Sequence, residues 1–215
     1  MTIEAKICGI NTAAAATAAV EGDADYIGLV FFPPSPRSVT PKQAHAIAAQ
    51  VPARVRKVAL LVDADDALIR EVAAAVPLDL LQLHGNESPE RVAQIKARFD
   101  VPVMKAIKIA STADVASATA YLRVADRLLF DAKPPKDMKN ALPGGNAVSF
   151  DWGLLAGRSW PIPWMLSGGL DAANLAQAVR TARATAVDVS SGVEDKPGVK
   201  SPAKIRAFLE AAKAL

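Results

Sequence analysis

The sequence predicts an α/β fold, a single (β/α)8 TIM barrel spanning residues 1–215, and three observations carry that prediction. Short apolar runs recur eight times, alanine-rich segments with apolar residues at helical spacing lie between them, and 215 residues with 51% hydrophobic content suffice for one full core. Parallel strands need helical crossovers, and eight strands can close without leaving an edge. A doubly wound open sheet is the alternative arrangement.

The candidate strands, in order, are residues 5–10, 26–32, 57–62, 80–84, 103–107, 127–131, 163–167 and 186–190. After the second strand, the prolines of Phe32-Pro33-Pro34-Ser35-Pro36-Arg37-Ser38 stiffen a loop. Thr40-Pro41, Ser88-Pro89 and Ser201-Pro202 mark helix starts, because a hydroxyl can cap free amides while proline occupies a first turn whose N–H has no partner. Asp63 reads as a cap for the helix beginning near Asp65. Val92, Ile95 and Phe99 form one helical face, and Leu175, Ala178, Val179 and Ala182 form another. Residues 132–148, rich in Pro, Lys, Gly and Asn, are too polar for core and too long for an ordinary turn. They read as a mobile loop over a site.

Composition narrows the function class. A single cysteine, Cys8, excludes an internal disulfide, and with only His45 and His84 beside it the ligand clusters of zinc sites are missing, so no metal is expected. Residues 1–20 contain Glu4, Lys6 and a run of alanines, unlike a signal or membrane anchor, which makes the cytoplasm the expected compartment. The net charge of +3 comes from scattered lysines and arginines without a basic stripe or interleaved aromatics. Nucleic-acid and membrane partners are therefore not expected, and a small anionic substrate is.

In such a barrel the active site lies at the carboxyl ends of the strands, where Cys8, Asp63, His84, Asp131, Ser167 and Ser190 fall. Strand alternation puts Lys6 and Cys8 on one face. Cys8 is either a small buried hydrophobe or a base whose thiolate fraction an inward Lys6 would raise; Lys6 is equally suited to pair with an inward aspartate. Asp131 follows Leu128-Leu129-Phe130, an apolar approach that disfavours the charged carboxylate and suits a proton donor, unless the residue caps the next loop. Ser167-Gly168-Gly169 after strand seven and Ser190-Ser191-Gly192 after strand eight look like the two halves of a phosphate cradle, with a pair of tight turns as the alternative. Arg37 is held for a carboxylate or phosphate, or else is a solvated surface residue. Gln82 and His84 share a strand face. Gly144-Gly145 is a loop hinge or a ligand contact.

Taken together, Lys6-Ile7-Cys8-Gly9, Ser35-Pro36-Arg37, Gln82-Leu83-His84-Gly85, Leu129-Phe130-Asp131, Gly144-Gly145-Asn146, Phe150-Asp151-Trp152, Leu166-Ser167-Gly168-Gly169-Leu170 and the segment from Asp188 to Glu194 closely resemble the phosphoribosylanthranilate isomerase family, in order from Lys6 to Phe208. The resemblance implies a (β/α)8 barrel that performs an Amadori rearrangement of a phosphorylated substrate in tryptophan biosynthesis, as monomer or homodimer, without metal or organic cofactor. By motif position it implies Cys8 as general base, Asp131 as general acid, Arg37 at the anthranilate moiety, and His84 and Asp188 as supporting substrate contacts. The phosphate would lie at Gly168, Gly169, Ser190, Ser191 and Gly192. Asn11-Thr12 departs from it, since many relatives read Thr-Asn there. The related histidine-pathway isomerase, which uses two aspartates, and a noncatalytic phosphate-binding barrel are the competing readings.

Overall fold

A computed structural model of the chain describes residues 3–135, 137–139 and 141–215; Lys136 and Asn140, inside the long loop after strand six, lie outside the described residues. Eight parallel strands close into a barrel in sequence order: β1 (Glu4–Cys8), β2 (Tyr26–Val30), β3 (Arg56–Leu61), β4 (Leu80–Leu83), β5 (Val103–Ile109), β6 (Arg127–Ala132), β7 (Trp164–Leu166) and β8 (Ala186–Val189). β1 completes the ring by pairing with β8, Lys6 opposite Asp188, and with β2, Cys8 opposite Gly28. Seven helices cover the outside: α1 (Ala13–Glu21), α2 (Pro41–Ala48), α3 (Asp66–Ala75), α4 (Pro89–Phe99), α5 (Thr112–Ser117), α6 (Leu175–Ala182) and α7 (Pro202–Lys213).

The period-2 alternation divides the core in two. Inside the barrel, Tyr26, Val58, Leu80, Met104, Ala106, Leu129, Met165 and Ala186 pack together. The outward residues, among them Ile7, Ile27, Leu29, Leu61, Leu81 and Phe130, pack against helix residues such as Ile69, Val72, Val92, Ile95 and Phe208. In α1 the buried residues are all alanines, Ala15, Ala16, Ala18 and Ala19, which let that helix lie close.

Local chemistry explains the element ends. Thr40 caps α2 in a full capping box with Gln43, and Ser88 accepts from the Arg91 amide at the start of α4. Ser201 precedes α7 without a side-chain cap bond, and Asp65, not Asp63, caps α3; Asp63 instead accepts from the Asn86 amide at 2.6 Å. β1 stops at Cys8 because Gly9 turns the chain with φ of 79°.

Two features depart from the sequence reading. The crossover between β6 and β7 carries only a one-turn 3-10 helix, Trp152–Leu155, where the alternation suggested a full helix; Gly157, Pro161 and Pro163 leave no room to propagate one. Beyond β8 the chain forms an unanticipated antiparallel ribbon, β9 (Glu194–Lys196) with β10 (Val199–Lys200), that stands beside the mouth. Among the described residues no helix is long and apolar enough to cross a membrane.

Candidate active site

A pocket of about 720 Å³, its open mouth included, occupies the carboxyl end of the barrel. Cys8, Arg37, His84, Asp131, Gly168, Gly169, Asp188, Ser190 and Ser191 all line it, so nine of the ten candidate residues converge there. Gly192 is the exception: it packs behind the cradle, where a Cβ would collide with the Leu170 carbonyl.

On β1, Lys6 is wholly buried and its Nζ lies 2.7 Å from Asp188 Oδ1; Asp188 Oδ2 accepts from Ser167 Oγ at 3.1 Å. The inward cation and the inward aspartate thus find each other, and Asp188 still has lone pairs to offer a ligand hydroxyl. Beside them burial pushes the Cys8 thiol above its ordinary value, a rise that Asp188 reinforces and that Lys6 and Lys200 only partly oppose. Lys6 does favour the thiolate, as expected of an inward cation, but desolvation outweighs it. What brings ammonium and thiol side by side is Gly28 on β2, where a Cβ would stand 2.9 Å from Cys8 Sγ and 3.1 Å from Lys6 Nζ. The sequence reading passed over Gly28, although a glycine inside the apolar run Tyr26-Ile27-Gly28-Leu29-Val30 is itself a sign of close approach.

Across the mouth, Asp131 at the end of β6 is buried, with Oδ1 accepting from the Ala132 amide at 2.9 Å and Oδ2 lying 3.1 Å from His84 Nε2. Gln82 completes the row, its Nε2 2.8 Å from His84 Nδ1. The long loop comes down on these groups: a Cβ at Gly144 would stand 2.8 Å from both Asp131 Oδ2 and His84 Nε2. Gly145 does the same to the guanidinium of Arg37, and Leu142 to Val148 line the pocket.

Arg37 is neither solvated nor free. Its Nε and Nη2 donate to the two oxygens of Glu194 at 2.7 and 2.8 Å, and Nη2 also donates to the Gly145 carbonyl at 3.0 Å. Glu194 is held in turn by Lys200 Nζ at 2.9 Å, and Lys200 donates to the Ser190 carbonyl at 2.8 Å. Burial would raise the Glu194 carboxyl, but Arg37 and Lys200 hold it below the usual carboxylate range. Glu194 and Lys200 come from the unanticipated ribbon, which is why sequence reasoning missed them. Asn11 Nδ2 donates to the Gly198 carbonyl at the ribbon's turn while Thr12 caps α1, so both residues of the Asn11-Thr12 departure have work here. Arg37 Nη1 has no acceptor among the described residues, and Val30, Phe32, Leu60 and Val62 give the same pocket an apolar wall.

After β7, Gly168 and Gly169, which also line the pocket, have φ of 89° and 66°. The amides of Gly168, Gly169, Ser191 and Gly192 donate to no acceptor among the described residues, an arrangement that suits an anion. Among the described residues no group of three or more His, Cys, Asp or Glu is placed to hold a metal ion.

Comparison with known proteins adds to this geometry. The family model described as N-(5'phosphoribosyl)anthranilate (PRA) isomerase matches residues 5–211. An N-(5'-phosphoribosyl)anthranilate isomerase of Rhodospirillum centenum is 59% identical over 215 residues, the whole of both chains. The crystal structure of phosphoribosyl anthranilate isomerase from Thermotoga maritima shares 36% identity with a TM-score of 0.88, covering 99% of this chain and 100% of that one. Another solved structure of that enzyme, in complex with reduced 1-(o-carboxyphenylamino)-1-deoxyribulose 5-phosphate, shares 34% identity with a TM-score of 0.83 over 99% of this chain and 100% of that one.

Proposed function

The chain belongs to the N-(5'-phosphoribosyl)anthranilate isomerase family, and from that premise we propose that it carries out its isomerisation with Cys8 as general base and Asp131 as general acid. The reaction, a step of tryptophan biosynthesis, converts the phosphoribosyl aminal into a 1-amino-1-deoxyketose phosphate. Opening the aminal requires a proton on the ribose ring oxygen, which Asp131 supplies, leaving a cationic Schiff base. The iminium acidifies the neighbouring C2 hydrogen, the Cys8 thiolate removes it, and the enolamine tautomerises to the aminoketone. No further cofactor is needed to balance these steps.

The observation that carries this reading is that acid and base line one pocket from strands on different sides of the barrel, with the unpaired amides of the β7 and β8 loops beside them. A phosphate anchored at Gly168, Gly169, Ser190, Ser191 and the amide of Gly192 turns remote binding energy into orientation of the reacting carbons. The apolar wall suits an aromatic ring, and Arg37 Nη1 suits its carboxylate. His84 and Asp188 serve as supporting contacts for the sugar hydroxyls. The raised thiol makes Cys8 a scarce but strong base at neutral pH, matched to a carbon acid that only the iminium renders labile. Since one chain builds the whole site, the enzyme can work as monomer or homodimer. A reduced Cys8 fits the cytoplasm.

Loss of anthranilate-type fluorescence with fresh phosphoribosylanthranilate, run beside an enzyme-free control, tests the assignment. Cys8→Ala and Asp131→Asn should each lower turnover by at least about a hundredfold. Near-normal turnover in either variant removes that residue from its role.

A further inference from the structure

Gln82, His84 and Asp131 form a buried row with an unusual property: its hydrogen bonds can be written in two ways. Asp131 Oδ1 is taken by the Ala132 amide, so a proton on this carboxyl sits on Oδ2, facing His84 Nε2. A neutral imidazole has one donor and one acceptor nitrogen. When Asp131 is a carboxylate, Nε2 must donate to it and Nδ1 must accept, which calls for the amino group of the Gln82 carboxamide. When Asp131 is protonated, Nε2 must accept and Nδ1 must donate, which calls for the carboxamide oxygen. A half-turn of the carboxamide presents one or the other.

A second observation indicates that neither orientation is pinned. Gln82 is fully buried, yet with the amino group turned towards His84 its Oε1 has no hydrogen-bond partner among the described residues. Among the described residues no other group claims the oxygen, so turning it to Nδ1 exchanges the Nε2–Nδ1 bond for an Oε1–Nδ1 bond and breaks no bond of the oxygen. A glutamine kept only to brace the histidine would be expected to have both ends satisfied, as buried amides generally do.

We propose that Gln82 is a positioning residue that keeps His84 hydrogen-bonded to Asp131 in both its charged and its proton-bearing form, by turning its carboxamide to suit the tautomer each form demands. The proposal rests on the reading of Asp131 as the acid. Between the two forms the row takes up one proton from water: Oδ2 ends protonated, and the single imidazole proton stands on Nδ1 in place of Nε2. Other charged and titratable groups at this end of the barrel are Cys8 and the Lys6–Asp188 pair on β1 and β8, Lys108 on β5 in register with Asp131, Lys105 with Glu87 and Asp63 beside Gly85, and Arg37 with Glu194 and Lys200. From the loop side Gly144 meets the row directly, and it carries no charge.

The chain has two histidines, so His45→Gln leaves one imidazole for nitrogen-15 spectroscopy. With Asp131 as a carboxylate, His84 should carry its proton on Nε2. In Asp131→Asn the side-chain amide can donate from the Oδ2 position, so the proton should move to Nδ1. In Gln82→Leu a buried Nδ1–H would lack an acceptor; the tautomer should then stay on Nε2 with or without Asp131→Asn, and kcat should fall about tenfold with KM within about twofold. The same tautomer with and without Asp131→Asn in the Gln82 protein overturns the proposal, and this comparison stands even if Gln82→Leu does not fold. Wild-type kcat in a folded Gln82→Leu also overturns it. An active Asp131→Asn would refute the acid itself, whereas an inactive one with an unchanged tautomer refutes only the role of Gln82.

Discussion

The two ends of this barrel are built from the same strands and do opposite things with charge. At the amino-terminal end, Glu4 takes Arg56 at 2.6 Å and Arg127 at 2.8 Å, and the Tyr26 hydroxyl lies 3.3 Å from the same carboxylate. The Tyr26 ring lies 3.8 Å from the Arg56 guanidinium carbon. Buried as it is, the Tyr26 phenol is pushed up to about 12, so it stays a neutral donor. Each of these four groups has its partner. At the carboxyl end, two residues further along the same face of β1 at each step, Lys6 pairs with Asp188 but Cys8 is left as a desolvated thiol. There too Gln82 Oε1, Arg37 Nη1 and the loop amides lack partners among the described residues. The closed end spends its charges on itself, while the open end withholds some for a ligand.

Three experiments would break or sharpen that contrast. The largest effect is expected at Cys8, where alkylation by iodoacetamide should abolish turnover. Because burial raises the thiol, the inactivation rate should climb about tenfold per pH unit up to and through the ordinary thiol value of about 8.5. A plateau below pH 8 would show that the thiol is ionised after all. Next comes Glu194→Gln, which frees Arg37 and Lys200 from their shared carboxylate; KM should rise about tenfold with kcat within about twofold, the signature of weakened ground-state binding. A lowered kcat at unchanged KM would instead tie the ribbon to the chemical step.

The smallest effect belongs to the closed end. Glu4 is about one-third exposed, so Glu4→Gln should cost only about 1 kcal/mol, a fall in Tm of ~3 °C, with kcat unchanged. Burial alone would raise the Glu4 carboxyl, but hydrogen bonds from Arg127 and Arg56 hold it below its ordinary value. Its contribution is therefore complete above the unfolded value of about 4.3 and is lost as pH falls through the lower folded one. The Tm difference between the two proteins should vanish on acidification, and a difference that grew would reverse the assignment.

Much of this was legible from residue order. The strands announced themselves as apolar runs, and alternation sent Lys6 and Cys8 inward together. The polar residues ending those runs, among them Cys8, His84, Asp131 and Ser190, were the ones to expect at the mouth. The ribbon of Glu194 to Lys200 was not legible, because two or three polar residues per strand carry no hydrophobic period. Neither was the short sixth crossover, where Trp152, Leu154 and Leu155 hint at a helix that the nearby glycine and prolines prevent.

Sequence by itself determined the barrel, its strand order and which residues stand at strand ends, since side-chain period and crossover length are local properties of the chain. Tertiary structure alone decided that Gly28 makes room for the thiol, that desolvation outweighs Lys6 at Cys8, that Glu194 claims two donors of Arg37 and that Gln82 reaches Asp131 through His84. Each of these depends on groups brought together from different strands and loops, and on how much water remains between them.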